Sequence, residues 1–392
     1  MAHEPVAIAA PGTIGHGGAM TVPSPSDPAL AIHRQDALAA RVCSRIGAEY
    51  AGGIARGADW AANMRSYELI GDRRRAQRGH LDYLYVRRTG NFGNNVIQLI
   101  NAAILAERFG IKHVIHRTSW IDDYHAPGGP ALLNRPTALA GSYAGLSGTY
   151  FVASAISALS DLPPERRLRV FDASIKPGIT LTPERATGIC LNLRGGYDVF
   201  ENPDPNRHYG QPPIAYYQTA LTRLLQRHGP QEIEIVHQDH RNPVLQPLLH
   251  WLEQQDLGHR VTSSGPEGDA MAMLSARHLV IGWTSFSAAL ALFSPHIESL
   301  TAFRGTHLQE VLRRALPRLY LAEDQGRAYF PEGRWRGSAR QREMMLSYPA
   351  EALSFNDIAV QPDRADEARH GRRIQRAARL RSALSTLGLP RF

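Results

Sequence analysis

The sequence has very few cysteines. Of its 392 residues only Cys43 and Cys190 are cysteine, and they lie far apart in the chain. Two distant cysteines exclude a disulfide framework and a cysteine-rich metal site. Cys190 lies in an apolar strand pattern, which is typical of a buried thiol, and we expect a cytoplasmic protein in a reducing compartment.

Long hydrophobic runs are also missing. No apolar stretch reaches the roughly 18 residues that a membrane-spanning helix needs. The first residues carry no basic segment, and Pro11, Gly12 and Gly15 interrupt the apolar residues near the N-terminus. We therefore expect neither a transmembrane segment nor a signal peptide.

Lysine is almost absent, so arginine carries the positive charge. The formal net charge is +8, yet lysine occurs only at positions 112 and 176. Outside the C-terminal run 364–381, basic and acidic residues are interleaved, which argues against nucleic-acid binding. The run itself is either a solvated helix or a surface that contacts anionic lipid at the inner face of a membrane.

Composition divides the chain into six segments. They are 1–30, 31–81, 82–181, 182–305, 306–360 and 361–392. The first is rich in proline and glycine and predicted to be disordered, and the second is a weakly helical lead-in. The third and fourth are predicted to be two α/β domains, because the chain is too long for one typical domain. The fifth is expected to pack back over them, and the sixth is the arginine-rich tail.

The second half of the chain repeats a strand and a helix. Predicted strands lie at 188–193, 232–236, 260–262 and 279–282. Between and after them, apolar residues fall at helical spacing, with Pro212-Pro213 and Asn242-Pro243 at helix starts. Repeated units of this length predict a parallel sheet.

A glycine loop follows the first of these strands. The strand ends at Arg194, Gly195 and Gly196 follow, and Asp198 lies just beyond. The carboxyl edge of an open α/β sheet is where ligands bind, and a guanidinium offers five donors to a phosphate or carboxylate. The alternative is a structural ion pair from Arg194 to Asp198 or Glu201.

Two further loops at strand ends carry polar residues. One contains Asp239, and the other runs through Thr284, Ser285, Phe286 and Ser287 into a helix. Thr284 or Ser285 can cap that helix, and its free N–H groups form an anion site. Upstream, Asp269 could accept two hydrogen bonds from a guanine edge, or it only complements the charge of a helix N-terminus.

A second glycine loop follows the strand predicted at 82–88. It consists of Gly90, Asn91, Phe92, Gly93, Asn94 and Asn95. A helix follows, and Asn94 or Asn95 can cap its first turn. Such a loop suits a phosphate or a sugar hydroxyl, with a purely structural turn as the alternative. It lacks the Gly-x-Gly-x-x-Gly spacing, and no acid ends the next strand, which argues against an NAD-dependent oxidoreductase.

Three of these four loops resemble motifs of the fucosyltransferase superfamily. The segment from Gly90 is similar to the Gly-x-Gly-Asn-Gln opening of alpha-1,2-fucosyltransferases. The segment from Asn192 to Asp198 resembles a His-x-Arg-x-Gly-Asp loop, and Asp269 precedes Ser285 by 285 − 269 = 16 positions, close to the spacing of the third motif. The resemblance covers about residues 82 to 305.

The resemblance departs from the family pattern at two positions. Asn192 stands where the family usually has histidine, and Tyr197 is an extra residue between Gly196 and Asp198. The first departure motivates an alternative, a non-catalytic protein that binds a nucleotide sugar or a glycan.

The resemblance implies two facing Rossmann-like domains of GT-B type and an inverting, metal-independent transfer of a sugar to a hydroxyl acceptor. The donor that it implies first is GDP-fucose, and no further cofactor is expected. It assigns catalysis to Arg194 and Asp198, and donor binding to Asn192, Gly195, Gly196, Asp239, Asp269, Thr284, Ser285, Phe286 and Ser287. Residues 90–95 would face the cleft on the acceptor side.

Two further questions are whether the chain holds a metal ion and which residue could serve as a general base. No two aspartates have the Asp-x-Asp spacing with which sugar transferases typically hold a divalent cation, and we predict no metal. A carboxylate or histidine could take the acceptor proton. The candidates are Asp198, Asp122 and His125, although Asp122 and His125 also fit a solvated loop.

Overall fold

A computed structural model describes part of the chain. The described residues are 68–72, 74–75, 80–88, 90–134, 143–148, 150, 164–326, 328–329 and 334–359. The predicted disordered tail, most of the lead-in and the arginine-rich tail lie outside them. Among the described residues, no helix has the length and apolar character that crossing a membrane requires.

The first half of the chain forms a sheet that is parallel at its centre. Its strands are β1 (Glu68–Gly71), β2 (Tyr83–Val86), β3 (His113–Ile115), β4 (Tyr124–His125), β5 (Ala131–Leu133) and β6 (Ala144–Gly148). The order is β1-β6-β2-β3-β5-β4. The inner strands pair in parallel, whereas β1 and β4 are antiparallel strands at the edges.

The second half forms a larger sheet. Its strands are β7 (Thr187–Leu193), β8 (Ile233–His237), β9 (His259–Thr262), β10 (Ala276–Ile281), β11 (Ser299–Phe303), β12 (Arg318–Asp324) and β13 (Leu353–Ala359). The order is β13-β12-β11-β10-β7-β8-β9, and only β13 is antiparallel to its neighbour. The predicted parallel sheet and the α/β class are confirmed.

Helices connect the strands of both sheets. They are α1 (Phe92–Phe109), α2 (Pro164–Val170), α3 (Tyr197–Phe200), α4 (Ile214–His228), α5 (Leu245–Gln254), α6 (Gly265–Ser275), α7 (Ser285–Phe293), α8 (Gln309–Ala315) and α9 (Ala339–Ser347). The described residues also include a π-helical turn at Phe171–Ile175 and 3-10 turns at Lys176–Gly178 and Ala350–Ala352. Helix α4 starts after Pro213, as the sequence predicted, and ends before Gly229.

The side chains of β7 alternate between two faces of the second sheet. Ile189, Leu191 and Leu193 pack with residues of α4 and α5. Cys190 belongs to a second cluster, which contains residues of α1, α6 and α7. Because side chains alternate along a strand, Asn192 points to the same side as Cys190.

One hydrophobic cluster contains residues of both sheets. It includes Leu84 and Val114 from the first sheet, and Leu279 and Ile281 from the second. Helices α1 and α7 make the contact, and both are buried along most of their length. The glycine loop before α1 (residues 90–95) and the serine turn before α7 (residues 284–287) are thereby brought together.

Three sequence predictions need correction. The lead-in, predicted as weakly helical, contributes strand β1 near its end. The segment 306–360 does more than pack over the domains, because β12 and β13 extend the second sheet. Helix α1 begins at Phe92, so neither Asn94 nor Asn95 is its cap. Asn91 takes the N-cap position without a side-chain hydrogen bond.

Candidate active site

Arg194 and Ser285 lie at the same edge of the second sheet. Strands β7 and β10 are neighbours in parallel register, with Asn192 opposite Ile281. Arg194 is two residues beyond this pair and Ser285 four residues beyond it. Since the carboxyl ends of parallel strands meet at one edge, the two loops that the sequence singled out are adjacent.

Arg194 is held in place by two neighbours. Its Nη2 atom lies 2.7 Å from the Asp198 carboxylate, and its guanidinium carbon lies 4.4 Å from the centre of the Tyr209 ring. The arginine side chain is 16% exposed and that of Asp198 is 49% exposed. The structural ion pair is therefore present. The ion pair neutralises Arg194. Because the Asp198 carboxylate is open to solvent, a phosphate could replace it as the partner of Arg194.

Asp239 fixes the glycine loop from the next strand end. Its carboxylate accepts hydrogen bonds from the Gly196 N–H at 3.0 Å, from the Arg241 N–H at 2.9 Å and from the Arg241 guanidinium at 2.8 Å. Partial burial alone would raise the pKa of Asp239, but these hydrogen bonds outweigh it and the pKa is lowered. With its oxygens engaged in this way, Asp239 positions the loop that carries Arg194.

The glycines of this loop are required by its geometry. Gly196 has φ +107°, a region that other residues rarely adopt. A side chain on Gly195 would overlap the Asp239 carboxylate. Gly195 and Gly196 were both predicted as donor-binding residues. The structure places them at the predicted edge of the sheet, in contact with the Asp239 carboxylate.

Gln211 links the region around Arg194 to the serine turn, and the sequence analysis missed it. Its fully buried amide donates to the carbonyl oxygens of Tyr209 and Trp283, each at 3.1 Å. Tyr209 stacks on Arg194, and Trp283 directly precedes Thr284. The only available signal was a glutamine directly before the Pro212-Pro213 helix start, because its burial, which requires partners for the amide, is seen only in the folded chain.

The serine turn opens α7 with a side-chain cap. The Thr284 hydroxyl accepts the Phe286 N–H at 3.1 Å, as expected of an N-cap residue. Ser285 is the first residue of the helix and is 5% exposed. Ser287 is fully buried, and its hydroxyl has no hydrogen-bond partner among the described residues.

The glycine loop of the first sheet contacts this turn directly. The Ser285 hydroxyl donates to the side-chain oxygen of Asn94 at 2.6 Å. A Cβ atom on Gly93 would overlap the carbonyl of Ser285 and lie 2.5 Å from the nitrogen of Phe286. Only glycine allows the two backbones to approach so closely.

Aromatic rings surround this contact. The Phe92 ring lies 5.2 Å from Trp120 and 6.3 Å from Phe286, measured between centroids. Trp120 has a positive φ of 62°, which is rare for a bulky residue. The residues predicted to face the cleft, 90–95, thus meet the predicted donor residues 284–287 at the start of both helices.

Asn192 and Asp269 lie on the α6 and α7 side of the sheet. Asn192 is 7% exposed, and its side-chain oxygen has no hydrogen-bond partner in the part of the chain that the structure describes. Asp269 is 9% exposed and accepts the Ser264 N–H at 3.2 Å. Burial raises the pKa of Asp269. Glu267, not Asp269, occupies the first turn of α6, so the helix-charge explanation applies to Glu267.

The two other base candidates belong to the first sheet, His125 on β4 and Asp122 two residues before that strand begins. His125 pairs with Ala131 at the start of β5, so it lies at the amino edge of the first sheet, away from the carboxyl ends of the strands. Asp122 is exposed, and its N–H bonds the carbonyl of Gly178. Among the described residues, no group of three or more histidine, cysteine, aspartate or glutamate side chains could hold a metal ion.

The chain is similar to solved structures of fucosyltransferases. NodZ alpha-1,6-fucosyltransferase soaked with GDP-fucose matches at 10% identity and a TM-score of 0.34, over 62% of this chain and 95% of that one. Fucosyltransferase NodZ from Bradyrhizobium matches at 10% identity and a TM-score of 0.33, over 62% and 96%. POFUT1 in complex with GDP matches at 11% identity and a TM-score of 0.33, over 57% and 98%.

Sequence comparisons give no further assignment. No protein-family model and no curated protein matches the chain. The structural similarities are distant in identity and in superposition, so the function has to be argued from the site itself.

Proposed function

We propose that this chain is an inverting, metal-independent glycosyltransferase of GT-B type that moves a sugar, most naturally fucose from GDP-fucose, to a hydroxyl of a glycan or another acceptor. The observation that carries the proposal is the position of Arg194 and the start of α7 at adjacent ends of β7 and β10. A guanidinium and a helix N-terminus are both suited to a diphosphate. The motif resemblance supplies the reaction.

The leaving group explains the need for these residues. When the bond between the sugar and the diphosphate breaks, negative charge develops on the departing phosphate, and the sugar passes through a cation-like state. Arg194 and the free N–H groups at the start of α7 would stabilise that charge without a metal. For this, Arg194 must exchange its solvent-open partner Asp198 for the phosphate. Asp198 is then released next to the reacting groups.

Two buried groups would take the nucleoside part of the donor. Asp269 has one backbone hydrogen bond and lies on α6, which packs on β7 and β8. Burial has raised its pKa, so a ligand that donates hydrogen bonds to its oxygens would stabilise the carboxylate. A guanine edge offers two such donors. Asn192 has an unpaired buried oxygen on the same side of the sheet, and an unpaired group of this kind is costly unless a ligand satisfies it.

A non-catalytic nucleotide-sugar or glycan-binding protein is the second candidate. It is favoured by Asn192 in place of the family histidine and by the ion pair that holds Asp198. An NAD-dependent oxidoreductase is disfavoured, because the first glycine loop lacks the Gly-x-Gly-x-x-Gly spacing and His116 and Arg117, not an acid, follow the next strand.

Ligand binding and turnover distinguish these candidates. Thermal melting of the purified chain with GDP or with NAD, each in large excess over the protein, tests the nucleotide. We expect GDP to raise the melting temperature by a few degrees and NAD to leave it unchanged. GDP release from GDP-fucose, measured over a panel of oligosaccharide acceptors, then tests catalysis. Stabilisation by GDP without release would favour the binding protein, and a preference for NAD would end the transferase proposal.

A further inference from the structure

The chain after β12 contacts the loop after β7 at four points. That loop, residues 197–211, begins with α3 and contains Asp198 and Tyr209. We call residues 329 and 334–342 the C-terminal clamp, because four of its donors each bond a backbone carbonyl of the loop. The donors are the Tyr329 hydroxyl to Gln211 at 2.6 Å, the Trp335 indole N–H to Val199 at 2.8 Å, the Trp335 main-chain N–H to Arg207 at 2.9 Å and the Arg342 guanidinium to Phe200.

The loop has a backbone that needs such outside support. Pro203 and Pro205 have no N–H to donate. Main-chain hydrogen bonds inside the loop join nearby residues, as from Asn202 to Tyr197 and from Tyr209 to Asn206. Hydrogen bonds of such short range shape local turns but do not fix the loop against the sheet. The C-terminal clamp supplies contacts from a distant part of the chain.

The clamp residues are themselves buried and fixed. Trp335 is 1% exposed, and its ring packs edge-on against Phe200 with 5.9 Å between centroids. Tyr329 is 2% exposed, and its main-chain N–H bonds the Asp324 carboxylate of β12 at 2.8 Å. Burial raises the pKa of Tyr329 well above its ordinary value, so the hydroxyl keeps the proton that it donates.

The carbonyls that the clamp holds lie next to the two neighbours of Arg194. One belongs to the residue directly after Asp198, which pairs with Arg194 at 2.7 Å. Another belongs to Arg207, two residues before Tyr209, whose ring centre lies 4.4 Å from the guanidinium carbon. A third belongs to Gln211, whose side-chain amide in turn bonds the Tyr209 carbonyl. The clamp therefore fixes the backbone on both sides of these two neighbours.

The orientation of Arg194 matters for a diphosphate. A guanidinium grips two phosphate oxygens only when its planar fork faces them. When Asp198 gives way to the phosphate, the Tyr209 ring is the neighbour that continues to define the guanidinium plane. A loop that holds Tyr209 in one position thus keeps the fork aligned before the ligand arrives, which lowers the cost of binding.

We propose that Tyr329 and Trp335 are positioning residues that orient Arg194 toward the diphosphate of the donor through the loop that carries Tyr209 and Asp198. This inference rests on the proposed transferase function. Neither Tyr329 nor Trp335 is assigned a contact with the donor, and neither belongs to a motif of the sequence. The C-terminal clamp adds to the site residues that lie more than one hundred positions after Arg194.

The first experiment measures the affinity for GDP by isothermal titration calorimetry. Tyr329→Phe removes one hydroxyl and keeps the ring, and Trp335→Phe removes the indole N–H. We expect each change to weaken GDP binding about 10-fold, because the loop loses a buried hydrogen bond and Arg194 loses alignment. Tyr348→Phe is the matched control, since its hydroxyl bonds Asp324 rather than the loop. Its dissociation constant should stay within about twofold of the wild type.

The second experiment separates positioning of Arg194 from a general effect on the fold. Tyr329→Phe and Trp335→Phe are each combined with Arg194→Lys, and the dissociation constants for GDP are measured again. We expect each clamp change to weaken binding less than about twofold in the Arg194→Lys background, because lysine has no planar fork to align. A purely structural role would give the same factor in both backgrounds. Urea unfolding confirms that each variant is folded under the binding conditions.

The outcomes distinguish the inference from the proposed function. If the wild type does not bind GDP, the proposed function fails and the inference falls with it. If the wild type binds GDP and both clamp variants bind it equally well, the inference alone fails. It also fails if the clamp changes cost the same factor in both backgrounds, or if Tyr348→Phe weakens binding as much. Should Trp335→Phe not fold, Tyr329→Phe decides the question.

Discussion

The two loops that open helices α1 and α7 perform the same structural task in different ways. The serine turn is self-contained, because the Thr284 hydroxyl caps the helix that it precedes. The glycine loop has no such cap, since Asn91 occupies the N-cap position without a side-chain hydrogen bond. Instead, Asn94 and Gly93 lie against Ser285.

This difference indicates which half of the site is preformed. The second sheet holds its own loops through Asp239, Gln211 and Thr284. The first sheet depends on contact with the second for the position of its loop. We therefore expect changes at the contact to affect the fold, and changes in the loops of the second sheet to affect mainly ligand binding.

The largest expected effect comes from breaking the contact. In Gly93→Ala the added Cβ meets backbone atoms of Ser285 and Phe286, which no rotamer change can relieve. We expect a loss of about 3 kcal/mol in the free energy of unfolding. Gly258→Ala is the matched control, because no atom lies within 4 Å of its Cβ position. Urea unfolding measures both, and equal stability of the two variants would show that the contact is not tight.

The sequence predicted the second sheet better than the first for a physical reason. Its βα units are long and regular, and its helix α4 has a proline start and a glycine end. The first sheet contains strands of two to five residues, and three of them, β4, β5 and β6, had no pattern strong enough to predict. Such short strands are decided by pairing with their neighbours, which local sequence does not encode.

For the site, the sequence identified the loops but not their mutual contacts. Arg194, Asp239 and Ser285 were predicted from strand ends and helix starts. The role of Gln211 was not, because it depends on two carbonyl groups that come together only in the folded chain. The direct contact of Gly93 with Ser285 joins residues almost two hundred positions apart and could not be predicted from spacing.

A smaller effect is expected from the arginine of the second sheet. Arg194→Lys retains the charge but loses the planar fork that grips a phosphate. We expect the affinity for GDP to fall about 10- to 100-fold with little change in stability. Arg223→Lys is the control, because Arg223 lies in the second half of α4 and stacks on Phe355 of β13. Isothermal titration calorimetry with GDP measures both variants. An unchanged dissociation constant for Arg194→Lys would contradict the assignment of Arg194 to the phosphate site.

The support of the glycine loop should depend on pH. The pKa of Asp239 in the folded chain is below its ordinary value of 3.8, so the carboxylate stabilises the fold above about that pH. That stabilisation is lost as the pH falls through the folded-state pKa. We expect Asp239→Asn to lower the free energy of unfolding by about 1.5 kcal/mol at pH 7 and by less at pH 3. Urea unfolding at the two pH values measures this, and a difference that is independent of pH would show that the carboxylate charge is not involved.

The smallest expected effect isolates the hydrogen bond between the two loops. The Ser285 hydroxyl donates to Asn94 at 2.6 Å in a largely buried environment. Ser285→Ala, Asn94→Ala and the double variant form a cycle, and we expect a coupling of about 1 kcal/mol in the free energy of unfolding. A cycle of Thr284→Ala with Asn94→Ala is the control, because Thr284 bonds within its own helix. Equal coupling in both cycles would mean that the Ser285 hydroxyl does not hold the glycine loop. The position of that loop would then depend on close packing at Gly93 alone.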